Sequence, residues 1–150
     1  MAWHHVEWIM QISSDLLEIV EHTGEGYKPL VDYSDWRVAI LNLEDEYVLE
    51  KINKFSRHNQ TDEVFLLLKG KCILFIGEGD VAVTDIHAVD MQPLKLYNVK
   101  KSAWHTHTLS DDAMVLIVEN RDTSPANSPD YFIDEKQKRK LVELTQSLWG

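Results

Sequence analysis

The residues with the clearest chemical potential lie in the segment Phe55-Ser56-Arg57-His58-Asn59-Gln60-Thr61-Asp62-Glu63-Val64-Phe65, which closes at Gly70. A histidine ahead of a turn and a glutamate opening the next strand can converge on one cation. An imidazole nitrogen together with a carboxylate oxygen suits Zn²⁺, Mn²⁺, Fe²⁺ or Ni²⁺. A second segment, Val99-Lys100-Lys101-Ser102-Ala103-Trp104-His105-Thr106-His107, can add imidazoles from another strand. If Ala103 to His107 is extended, His105 and His107 point to the same face, because side chains alternate along a strand. Ser56, His58 and Asp62 can also be drawn as a nucleophile set, but no nucleophile-elbow motif accompanies them. Gly77-x-Gly79 reads as a hairpin turn and not a phosphate loop, because no helix follows it.

The elements that must position these residues are short strands. Trp36 to Leu43, Tyr47 to Leu49, Val64 to Leu68, Cys72 to Ile76 and Val81 to Val83 are rich in β-formers, with later candidates at Leu94–Tyr97, Ala103–His107 and Ala113–Glu119. Lys69-Gly70-Lys71 and Gly77-Glu78-Gly79-Asp80 punctuate them as turns. Strands every 8–12 residues with Gly or Asp turns predict an antiparallel sandwich or barrel. Along the first predicted strand of the motif, Glu63, Phe65 and Leu67 share one face and Val64, Leu66 and Leu68 the other. Both faces are apolar past Glu63, so a helix or a second subunit must cover the outside. Val6, Met10, Ser13, Leu17 and Val20 stand near helical spacing and predict an N-terminal helix over about residues 5–22, ended by Gly24-Glu25-Gly26. Asp134 and Gln137 have the spacing of a capping box and predict a C-terminal helix over about 134–148, with Leu141, Leu144 and Leu148 on one side.

Composition bounds the rest. The chain has 150 residues, suited to one domain over 1–150 with a barrel core at about 36–120. Fifteen basic residues against 25 acidic ones give a formal net charge of −10, which repels phosphate backbones and argues against nucleic acid as a partner. The single cysteine, Cys72, lies in an apolar run and excludes a disulfide framework. The start, Met1-Ala2-Trp3-His4-His5-Val6-Glu7, does not read as a signal peptide, and no apolar stretch approaches 18 residues. The expectation is a cytoplasmic protein without a membrane partner.

Taken together, the two motif segments resemble the cupin superfamily. Its first motif reads His-x-His, three or four residues, Glu, six residues, Gly; here Ser56-x-His58, four residues, Glu63, six residues, Gly70 matches the spacing. Its second motif centres on Pro-x-Gly-x-x-His, and Lys100-x-Ser102-x-x-His105 lies over it. The departures are Ser56 for the first histidine, Lys100 for the proline, Ser102 for the glycine and Leu109 for the usual terminal asparagine. The resemblance implies a mainly all-β fold, a jelly-roll barrel with short terminal helices. It also implies a divalent metal held by His58, Glu63 and His105, with one family ligand missing and His107 as its replacement or a pocket base. A looser likeness to ureidoglycolate lyases rests on His58, Gln60 and Trp104-His105 and hints at a small hydroxy acid.

Two functions are open on these grounds. One is a metal-dependent enzyme, of lyase or isomerase type, on a small polar metabolite such as a hydroxy or keto acid or a sugar derivative. There Glu63 or His107 moves a proton, Ser56, Arg57, Gln60 and Trp104 contact substrate, and Arg57 helps to attract an anion. The other is a non-catalytic small-molecule-binding protein that has lost or does not need its metal. The bland roles are His58 and His105 as polar groups at a barrel mouth, Glu63 in a salt bridge to Arg57, and Trp104 in packing. Val64, Leu66 and Leu68, with Cys72, Leu74 and Ile76, are expected to form an apolar outer sheet that invites a homodimer.

Overall fold

A computed structural model describes residues 12–150. Along them run ten strands and one α-helix: β1 (Tyr27–Tyr33), β2 (Trp36–Asn42), β3 (Lys54–Ser56), β4 (Glu63–Lys69), β5 (Cys72–Glu78), β6 (Asp85–Asp90), β7 (Leu96–Val99), β8 (Trp104–Leu109), β9 (Met114–Asn120), β10 (Asp130–Phe132) and α1 (Glu135–Trp149). The strands form two five-stranded antiparallel sheets, in the orders β1-β2-β9-β4-β7 and β10-β3-β8-β5-β6. This is the antiparallel barrel that strand spacing predicts, in the jelly-roll form that the family resemblance implies. Its interior is filled from both sheets, by Ala39, Leu41, Phe65, Leu67, Val115 and Ile117 on one side and Cys72, Leu74 and Leu109 on the other.

Alternation decides which residues reach that interior. On β4, Glu63, Phe65 and Leu67 are buried while Val64 and Leu66 are half-buried and Leu68 is exposed, as the parity of the sequence predicts. The outer face of the second sheet is closed by α1, which buries Leu141 against Phe55, Ile73, Phe75 and Trp104. Burying a leucine this fully is worth about 1.5–3 kcal/mol. The helix begins where the capping box predicts. Asp134 Oδ1 accepts from the Gln137 N–H at 2.8 Å, and Gln137 Oε1 accepts from the Asp134 N–H at 3.0 Å.

The turn between β4 and β5 needs a glycine. Gly70 has φ +71°, and a Cβ there would stand 2.7 Å from the Ala113 backbone N and Cα.

Several expectations are corrected. Residues 1–11 of the expected N-terminal helix lie outside the described residues, and 12–22 form only a turn at Ser13–Leu17. Leu16 and Ile19 are more than 80% exposed, so among the described residues nothing packs on the apolar positions of this segment. The barrel starts earlier than residue 36, because β1 precedes it. Pro29 hides this strand in the sequence but is tolerated at the sheet edge, beside a bulge between Pro29 and Val31. Tyr47–Leu49 is not a strand. Asp45–Tyr47 and Leu49–Lys51 are single 3₁₀ turns, opened by acidic residues where the chain crosses between sheets. Val81–Val83 belongs to the hairpin loop, with Val83 tucked into the α1 core, and the strand lies at β6. Cys72, Leu74 and Ile76 face the barrel interior and not the outer surface.

Candidate metal centre

The site is built at one end of the barrel from two turns locked together. His58 sits in the loop after β3, and its carbonyl accepts from the Ser102 N–H at 2.8 Å, tying the first motif segment to the second. Ser102 adopts φ +66°, the left-handed conformation that the glycine of the resembling family would hold without strain. Asp62 fastens the same turn. It accepts from Lys101 N–H and Lys100 Nζ at 2.7 Å each and from Asn98 Nδ2 at 3.1 Å. Together these bonds hold its carboxyl down to about 2, the Lys100 contact contributing most. Glu63 then opens β4 pointing inward, and His105 points inward from β8, directly opposite Ser56 of β3.

Three donor atoms meet inside. Glu63 Oε2 lies 2.9 Å from His58 Nε2 and 2.8 Å from His105 Nε2. Neither approach has hydrogen-bond geometry, so this buried oxygen has no hydrogen-bond partner among the described residues. The tautomers follow from the other ring nitrogens. His105 Nδ1 lies 3.0 Å from the Ala103 carbonyl, which can only accept. His58 Nδ1 lies 2.8 Å from Ser128 Oγ, whose own hydrogen goes to Asn127 Oδ1 at 2.7 Å. Both Nδ1 atoms therefore donate outward, and both Nε2 atoms face Glu63, where each offers a lone pair to a cation once it gives up its proton. Three lone-pair donors crowded in a buried site fit a shared cation. Outward Nδ1–H bonds to a carbonyl and a hydroxyl are the support that metal-binding imidazoles ordinarily have. Burial alone would raise the Glu63 carboxyl, but His105 and His58 outweigh it and hold it well below the ordinary carboxylate range. His105 shows the counterpart: burial lowers it, Glu63 raises it, and the net direction is up.

Around this trio lies a cavity of about 220 Å³ lined by Tyr27, Glu46, Tyr47, Lys54, Ser56, Thr106, His107 and Glu119 among others. His107 stacks on Tyr47 at 4.5 Å between ring centroids, and neither of its nitrogens has a hydrogen-bond partner. Burial, helped by His105, lowers His107 to about 4. Glu119 points inward from the end of β9. Tyr27 donates to its Oε1 at 2.6 Å, and its Oε2 is 3.7 Å from His58 Nε2. Burial and the Glu63 charge raise Glu119 to about 7.

Of the expected site residues, His58, Glu63, His105, His107 and Ser56 are brought together, Ser56 Oγ donating to Asp130 at 2.6 Å. Arg57, Gln60 and Trp104 are not at the cavity. Trp104 and Arg57 directly neighbour inward residues, so alternation turns them to the opposite face. There Arg57 stacks over Trp104 at 4.3 Å, donates to the Asp80 carbonyl and pairs with its carboxylate at 3.6 Å; it is not the partner of Glu63. Gln60 is exposed and meets Asn127 and Asn120. Glu119 and Tyr27 were not among the expected residues. The signal for Glu119 was the parity that marked Glu63: an acid in register with inward Val115 and Ile117. A second trio, Glu78, Asp85 and His87, is exposed on the β5–β6 hairpin.

No protein-family model matches the sequence, and no curated protein matches it. Solved structures do. A cupin-2 domain protein from Shewanella frigidimarina NCIMB 400 is 20% identical over 72% of this chain and 88% of its own, with a TM-score of 0.44. Pac13, described as a unique nucleoside dehydratase, is 14% identical over 74% of this chain and 82% of its own, with a TM-score of 0.52. A substituted form of Streptomyces PAC13 with uridine is 13% identical over the same shares, with a TM-score of 0.51. Among the described residues no helix is long and apolar enough to cross a membrane. With two antiparallel sheets closed on one interior, the chain has a jelly-roll barrel fold, which it shares with Pac13.

Proposed function

We propose that this chain is a metal-dependent enzyme of lyase or isomerase type, with His58, Glu63 and His105 holding one divalent cation beside a cavity for a small polar metabolite. The observation that carries the reading is Glu63 Oε2, buried, without a hydrogen bond among the described residues, and faced at 2.9 and 2.8 Å by the Nε2 atoms of His58 and His105, whose Nδ1 atoms are engaged on the far side. Zn²⁺, Mn²⁺, Fe²⁺ and Ni²⁺ all accept this donor set. When bound, such a cation polarises a carbonyl or hydroxyl oxygen of the ligand. His107 offers two unpartnered nitrogens to the cavity and stays neutral near pH 7, so it can orient a substrate hydroxyl or relay its proton. Tyr47 fixes its ring by stacking.

The cavity's charge selects among substrate classes. Glu46, Glu63 and Glu119 line it, while its one lysine, Lys54, is paired with Asp130 at 3.0 Å. Arg57, expected to attract an anion, is turned away. An uncharged, hydroxyl-rich sugar derivative is favoured over a hydroxy or keto acid. Pac13, of the same fold, acts on a nucleoside, and we extend to this chain only the sugar-bearing class. The test is metal analysis of untagged, chelator-free protein and of Glu63→Gln. The parent is expected to retain about one equivalent of metal, and Glu63→Gln to fold and lose it. A metal-free parent that still binds small sugars would instead favour the non-catalytic reading, which Ser56 in a ligand position supports.

We also propose self-association through the first sheet. Its outer face carries the rows Ile40-Leu116-Leu66-Leu96 and Val38-Val118-Val64, with Trp36 and Tyr33 exposed at its margin. Among the described residues no helix packs on it as α1 packs on the other sheet, and an isologous dimer would bury its half-exposed Val38, Val64, Leu66, Leu116 and Val118. The single buried thiol suits a reducing compartment, and a cytoplasmic location is proposed on that ground.

A further inference from the structure

We infer that Glu119 is a fourth protein donor to the cation, so that the site is a two-histidine, two-carboxylate centre; this rests on the metal-binding reading above. The register that pairs Val64 with Val118 brings Glu63 and Glu119 side by side on the inward face, from adjacent strands β4 and β9. Both are about 6% exposed. Two neighbouring carboxylates buried in one cavity repel each other unless one takes up a proton or positive charge lies between them. A divalent cation balances their two charges, and neutral imidazoles from His58 and His105 add donors without adding charge. The orientation of Glu119 is fixed for the purpose. Tyr27 holds Oε1 at 2.6 Å, with Arg37 behind it at 3.5 Å, and this leaves Oε2 on the His58 side of the trio, 3.7 Å from His58 Nε2 and outside the tight His58–Glu63–His105 cluster, so that ligation needs a small inward shift of the carboxylate. The other candidates for a fourth donor are worse placed. His107 is stacked on Tyr47, Ser56 Oγ is committed to Asp130, and Glu46 is exposed.

The alternative is that Tyr27 and Arg37 alone satisfy Glu119. Titration of the metal-stripped full chain with Co²⁺, followed by calorimetry and by the visible ligand-field bands, separates the two. Glu119→Gln keeps an acceptor for Tyr27 and removes the charge; Glu119→Asp keeps the charge and withdraws it by one methylene. If Glu119 is a ligand, Glu119→Gln weakens Co²⁺ binding by about tenfold or more, since even outer-sphere partners of metal ligands carry 10- to 100-fold. Both variants then shift the Co²⁺ bands. Should Glu119→Asp fold where Glu119→Gln does not, its band shift alone decides. Unchanged affinity and bands in the variants, with Glu63→Gln impaired, overturn the inference and leave the three-donor site standing. Weaker binding by Glu119→Gln with unchanged bands in both variants also overturns it, because Glu119 then acts only through its charge. A parent that binds no Co²⁺ overturns both the inference and the metal-binding reading.

Discussion

Ser56 stands directly across from His105 in the ladder between β3 and β8, so its side chain shares the inward face with the trio. At this position the resembling family carries a histidine; here the short hydroxyl reaches the other way, to Asp130. Ser56→His is therefore expected to add an imidazole to the same centre and tighten Zn²⁺ binding by about tenfold, on the scale at which single site residues act. Isothermal titration of parent and variant checks this. An unchanged affinity means that a side chain at position 56 cannot reach the cation.

Acid should loosen the turn that joins the motifs. Asp62 is held down to about 2 by Lys100, the Lys101 N–H and Asn98. A group with a lowered folded-state pKa stabilises above its unfolded value, near 3.9, and that contribution disappears as pH falls through its folded value. Stability should drop between about pH 4 and pH 2 in the parent, and the drop should be shallower in Asp62→Asn. Urea unfolding at a series of pH values measures the slope. Equal slopes would show that the Asp62 contacts contribute nothing.

Much of this molecule was legible in its sequence, and the misses share one physical origin. The motif spacings picked out His58, Glu63 and His105, which do converge, because each stands at or near a turn–strand junction, where spacing translates directly into position. The capping box at Asp134 and Gln137 was equally local. What local pattern cannot supply is the surface a segment will meet. Residues 12–22 have part of a helix's periodicity but, among the described residues, nothing to pack on. Trp104 is drawn in by the looser family likeness and Arg57 by its charge, yet each stands next to an inward residue and so turns to the opposite face, where Trp104 takes the packing role that is its other reading. Tyr27 and Glu119 are 92 positions apart, and only the closed sheet brings them together.

Gly70→Ala should be costly. The new methyl meets the Ala113 backbone at 2.7 Å, and the positive φ adds its own penalty. A left-handed non-glycine residue costs about 1–2 kcal/mol and overpacking about 1–3 kcal/mol more. Chemical denaturation should show a loss of at least about 2 kcal/mol, with a shifted midpoint and a similar slope. A loss below about 0.5 kcal/mol would mean that the turn can move away from Ala113.

Leu66 lies at the centre of the uncovered sheet face, between Leu116 and Leu96. Multi-angle light scattering of the parent at micromolar concentration is expected to give a dimer mass. Leu66→Lys places a charge in the middle of the contact and is expected to give a folded monomer. A clean monomer mass for the parent would dismiss the dimer.

The tether from His58 to Ser128 spans 70 positions, and Glu63 reaches His105 from the opposite sheet. No hairpin or other local unit of the chain therefore contains the centre, and its assembly requires the two sheets to close on each other. Topologies dominated by such distant pairings fold slowly, on the scale of about milliseconds to seconds for small domains. During refolding, secondary structure should form before Co²⁺ develops its bound colour, and the lag between the two signals would time the closing of the barrel.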